Sequence, residues 1–154
     1  MVDDELLDGS RIAALLSSEV HGHERGALGS LVVADADPDV EPADRGTFAY
    51  AIDQPTVGGS GNRRDADDES RTGADDDRTT ERLAAVYVHP DRVHVEFRVG
   101  VDTAVEAAHA EGLRVRPKAV EPPRTLVFVE NGAEVKRALR VVRAVAAERL
   151  EDAR

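Results

Sequence analysis

Apolar residues recur along this chain in two rhythms, and the switches between them lay out its elements. Ile12, Leu15, Leu16 and Val20 fall at helical spacing. They predict a helix over about residues 11 to 20, with Ser10 as N-cap and the glycines of "HGHERG" as its end. From "LGSLVVADAD" the rhythm is that of extended chain, giving a strand over about 28 to 35. A Pro- and Asp-rich connector leads to a second strand in "GTFAYAID", where Phe48 and Tyr50 alternate with small residues.

"RLAAVYVHPDRVHVEFRVG" reads as two strands around a Pro90-Asp91 turn, proline presetting φ for the bend. On the second strand Val93, Val95, Phe97 and Val99 point one way, and Arg92, His94, Glu96 and Arg98 the other. A two-residue turn sets Tyr87 opposite His94, with His89 as its diagonal neighbour. This makes the polar face a solvated one, with Tyr–His and Arg–Glu pairs across it. A helix follows in "TAVEAAHAE", with Thr103 and Glu106 at capping-box spacing and Gly112 at its stop. "LRVRP" is a short strand, set off by Pro122 and Pro123 from "TLVFVE", whose unbroken apolar run predicts burial on both faces. Asn131, three residues before Glu134, opens a last helix to about residue 150.

These elements predict an α+β fold in which a mainly antiparallel sheet of five or six strands packs with three helices as a two-layer sandwich. A parallel pairing across the helix at Thr103 is the local alternative. The order is similar in outline to small α+β folds such as frataxin-like domains, and no residue role carries over from them. Residues 1–154 are expected to form one domain. Residues 54 to 81 break its pattern with one large aliphatic residue, Val57, and no aromatic. Burial cannot offset the ordering entropy of such a segment, so it is expected to be a disordered acidic insertion.

Composition narrows the setting. Thirty-one acidic residues against twenty basic ones give a net charge of -11, and only Lys118 and Lys136 are lysines. An acid-rich, lysine-poor, arginine-retaining, alanine-rich chain resembles the cytoplasmic proteins of halophilic archaea. Charge of one sign keeps such a protein in solution in molar salt, where the screening length is about 3 Å. Cysteine is absent, which excludes disulfides and thiolate chemistry. The acidic "MVDDELLDGS" is unlike a secretory signal, and no apolar run approaches the roughly 18 residues of a membrane span. A cytoplasmic location without a membrane partner is the expectation.

The candidate chemistry is sparse. His21 and His23 in "HGH", with His89 and His94 in the hairpin, are the candidate metal ligands, and their convergence would make a strong site. Asp35, Asp37 and Asp39 alternate like the start of a calcium loop, but Val40 and Gly46 stand where that loop needs glycine and glutamate. No nucleophile elbow, phosphate loop or dinucleotide fingerprint occurs, and no cofactor is expected. Charge asymmetry is more informative. Residues 1 to 81 carry 20 acids and 7 bases, whereas residues 82 to 154 carry 11 acids and 13 bases. Arg114, Arg116, Lys118 and Arg124, with Lys136, Arg137, Arg140 and Arg143 on the polar side of the last helix, form the candidate binding surface. No aromatic stacking residues are expected to interleave the basic ones, which disfavours single-strand recognition. The expected function is a non-enzymatic binding or regulatory module for an acidic protein, an anionic metabolite or a nucleic acid. A metal-binding protein or metal-dependent enzyme built on the histidines is the alternative.

Overall fold

A computed structural model of the chain describes residues 8–22, 31–55 and 80–152. Its elements run α1 (Gly9–Gly22), β1 (Val32–Ala34), β2 (Thr47–Pro55), β3 (Thr80–Val88), β4 (Val93–Phe97), α2 (Val101–Ala110), β5 (Val115–Lys118), β6 (Arg124–Val129) and α3 (Glu134–Asp152). The six strands form one sheet in the order β1-β2-β3-β4-β6-β5, and every neighbouring pair is antiparallel. The α+β sandwich predicted from the sequence is therefore the fold. The parallel alternative does not form, because β6 enters between β4 and β5.

Strand parity decides which residues meet the helices. Val86, Val88, Val93, Val95, Phe97, Val127 and Val129 share one face with Tyr50 and Ile52. Against that face pack Ile12 and Leu16 of α1, Ala104 and Ala108 of α2, and Val135, Leu139, Val142 and Val145 of α3. The small residues of α2 let that helix lie close to the sheet. The Tyr50 hydroxyl donates to the Ala13 carbonyl at 2.7 Å, tying β2 to α1. Its burial raises the phenol pKa, so it remains a donor.

Several local expectations need correction. Asp8, not Ser10, caps α1: its Oδ1 accepts from the backbone N–H groups of Ser10 and Arg11 at 2.9 and 3.3 Å. The N-cap of α2 is Gly100, and Thr103 is not a cap. Its hydroxyl instead donates to Glu148 of α3 at 2.7 Å, a partner that sequence spacing does not reveal. Asn131 does cap α3, accepting from Glu134 N–H at 3.0 Å. "TLVFVE" is buried on alternate residues only: Thr125, Val127 and Val129 are buried, while Leu126 and Phe128 are half-buried. β2 runs on to Pro55 and β3 begins at Thr80, so both ends of the expected insertion are strand; residues 56–79 lie outside the described residues.

The β3–β4 turn is fixed from beneath by α1. Gly9 N–H donates to the Pro90 carbonyl at 3.1 Å. A Cβ on Gly9 would lie 1.8 Å from the His89 carbonyl oxygen and 2.7 Å from that of Arg92. Only glycine permits this approach, and it anchors the hairpin tip that carries the imidazoles.

Candidate functional site

The sheet face turned away from the helices carries an aromatic row assembled by register. Phe48 of β2 pairs with Tyr87 of β3, Tyr87 with His94 of β4, and His94 with Phe128 of β6. The Tyr87 and His94 rings stack at 4.8 Å between centroids and 12° between planes, which is the spacing of adjacent strands, so the two rings stand upright on the sheet. The end rings turn: Phe48 lies 74° from Tyr87, and Phe128 lies 61° from His94. The Arg92 guanidinium sits over the Phe128 ring, 5.9 Å from its centroid.

His94 was expected on a solvated face. The face is the expected one, but His94 is 8 % exposed, Glu96 6 % and His89 4 %. Register sets Tyr87 and Phe128 beside His94, and Ala85 and Leu126 beside Glu96, while Asp44 and Gly46 lie against His89. His89 is drawn onto the pair: its Nε2 lies 2.8 Å from His94 Nδ1, and its Nδ1 lies 2.9 Å from the Asp44 carbonyl oxygen. A carbonyl only accepts, so His89 Nδ1 carries a proton. With both rings neutral, His89 Nε2 is then an acceptor and His94 Nδ1 is the donor to it. His94 Nε2 is left with a lone pair and has no hydrogen-bond partner among the described residues. Burial, then the fields of His89, Arg92 and Lys118, push the His94 pKa down to about 4. Gly46, at φ +91°, closes over the pair; a Cβ there would meet His89 Nε2 at 2.9 Å and His94 Cε1 at 3.2 Å.

Beside the row lies Glu96. Arg124 Nη1 donates to its carboxylate at 2.7 Å, and Arg98 Nε lies 3.7 Å away. Phe48, Tyr87, Glu96, Arg82 and Arg98 line a shallow cavity of about 160 Å³ on this face. The nearby carboxylate contributes to a raised Tyr87 pKa, after burial as the larger cause.

The structure divides the predicted cations into two sets. In β5, Arg116 pairs with Leu126 and Lys118 with Arg124, so Arg114, Arg116, Lys118 and Arg124 belong to the open sheet face. Lys136, Arg137, Arg140 and Arg143 lie on the exposed side of α3, across the molecule. Arg114 pairs with Glu130 at 3.0 Å, and Arg140 with Glu111 at 2.9 Å. Arg92 and Arg98, absent from the sequence-based set, join the sheet group. The expectation that no aromatic interleaves the cations fails: Phe128 falls between Arg124 and Lys136 in the chain, and register sets it on the same face as the sheet cations. Of the candidate metal ligands, His89 and His94 bond to each other, while the His21 side chain and all of His23 lie outside the described residues. Among the described residues no group of three or more histidines, aspartates or glutamates is placed to hold a metal. Nor does any described helix have the length and apolarity to cross a membrane.

Fold and site together define a two-layer α+β protein with one sheet face that no described helix covers, aromatic at its centre and cationic around it. The chain belongs to a family of unknown function, DUF7993, whose model matches residues 1–154. No curated protein and no solved structure matches it.

Proposed function

We propose that the protein is a non-enzymatic binding module that holds an anionic partner on the open face of its sheet. The observation that supports this reading is the convergence there of Phe48, Tyr87, His94 and Phe128 with Arg92, Arg98, Arg114, Arg116, Lys118 and Arg124. Glu96 and Glu130 neutralise part of that charge, through Arg124 and Arg114. Arg116 and Lys118 have no ion pair with another described residue and are exposed. In a chain of net charge -11 such a face concentrates positive potential in one place, where an anion can be held. Composition supports a cytoplasm of high salt as its setting. There a bare cationic patch binds weakly, because counterion release is lost. The aromatic row adds contact that salt does not screen. The metal-dependent alternative has no ligand set among the described residues to build on.

Fluorescence anisotropy with labelled polyphosphate tests the reading at low and molar salt. Arg116→Glu/Lys118→Glu should weaken binding tenfold or more at low salt, while Arg137→Glu/Arg143→Glu on α3 stays within twofold. The reverse pattern, or no binding by the wild type, overturns it.

A further inference from the structure

The open face carries more than charge: one acceptor at its centre has a fixed direction. We propose that the anionic partner is a single-stranded nucleic acid, one base of which stacks on Phe128 and donates an N–H to His94 Nε2. This deepens the reading above and rests on it.

Three features favour that partner. First, the Asp44 carbonyl–His89–His94 chain sets the tautomer, so that His94 Nε2 is an acceptor available to a donor. Carboxylates and dianionic phosphates supply none. Every nucleobase presents an N–H on its pairing edge, and that edge is free in a single strand. Second, Phe128 is turned out of the upright pair and already carries a planar guanidinium, Arg92, near its ring. Arg92, whose Nη1 pairs with Asp91 at 3.0 Å, lies where a base stacked on Phe128 would meet its guanidinium plane. Third, Arg116 and Lys118 lie beyond β6 on the same face, on the side where a backbone phosphate would emerge. An acidic peptide could offer a backbone N–H to Nε2, but its carboxylate side chains bring no flat ring to the Phe128 face.

The test compares three labelled probes of matched charge on the full chain: a mixed-sequence single-stranded oligonucleotide, polyphosphate and poly-glutamate. The oligonucleotide should bind at least tenfold tighter than either other probe, and its affinity should fall less steeply with salt. His94→Phe keeps a ring to stack on Tyr87 and removes the acceptor. It and Phe128→Ala should each weaken the oligonucleotide at least fivefold while polyphosphate binding stays within twofold. Equal affinity for oligonucleotide and polyphosphate, indifferent to both substitutions, overturns the inference and leaves the anion-binding reading standing. Tightest binding of poly-glutamate overturns it in favour of an acidic protein. Failure of all three probes overturns both readings. Should either variant fold poorly, ¹⁵N spectra of the wild-type histidine rings decide. The expected result is a His94 Nε2 without a proton, whose resonance moves when oligonucleotide is added; a protonated Nε2, or an unmoved resonance, overturns the proposal.

Discussion

Acidification should destabilise this protein through His94, over a window that opens above the ordinary carboxylate range. The ring is 8 % exposed and stacked on Tyr87, and its Nδ1 side is committed to His89. Facing it are Tyr87 and His89 from β3 and its turn, Arg92 and Glu96 flanking it in sequence, Lys118 from β5, and the Asp44 backbone. Burial and the positive neighbours hold its pKa at about 4 against an ordinary 6.5. The unfolded chain therefore takes up a proton before the native chain does. The stabilisation is whole above about pH 6.5 and is lost as pH falls toward 4. A shift of that size is worth about 3 kcal/mol at 1.36 kcal/mol per unit, a large share of a stability of roughly 5–15 kcal/mol. Urea unfolding at fixed ionic strength, at pH 7.5, 6.5, 5.5 and 4.5, measures it. The wild-type stability should fall relative to that of His94→Phe by up to about 1 kcal/mol per pH unit across the window. Parallel pH profiles for the two proteins would refute the reasoning.

Two further substitutions test how the site is held. Arg124→Ala removes the 2.7 Å partner of the buried Glu96 carboxylate and leaves Arg98 at 3.7 Å, so denaturant unfolding should show a loss of about 2–3 kcal/mol; adding Glu96→Gln should recover most of it, and an undiminished loss would show that the pairing is not the cause. Gly46→Ala places a methyl 2.9 Å from His89 Nε2 at φ +91°, so it should cost about 1–3 kcal/mol and break the bond between the imidazoles, read as a change in the His94 ring ¹⁵N pattern.

The sequence by itself determined the layers. Alternation at Val93, Val95 and Phe97 assigned the helix-facing side of the sheet, and the spacing of Val135, Leu139 and Val142 assigned the buried side of α3, because parity and helical period are local properties of the chain. Even the pairing of Tyr87 with His94 followed from a two-residue turn. The content of the open face was decided by tertiary structure. Phe48 and Phe128 are 80 residues apart, and they share a row only because β6 inserts between β4 and β5. The basic residues, which look continuous in sequence, are split between the sheet and α3 because α3 packs on the opposite face. Burial of His94 and Glu96 could not be read from alternation. Parity says which face a residue takes, whereas its exposure depends on the side chains that neighbouring strands set beside it. A hairpin that reads as solvated is in fact the walled centre of the candidate site, with one imidazole nitrogen unpartnered among the described residues.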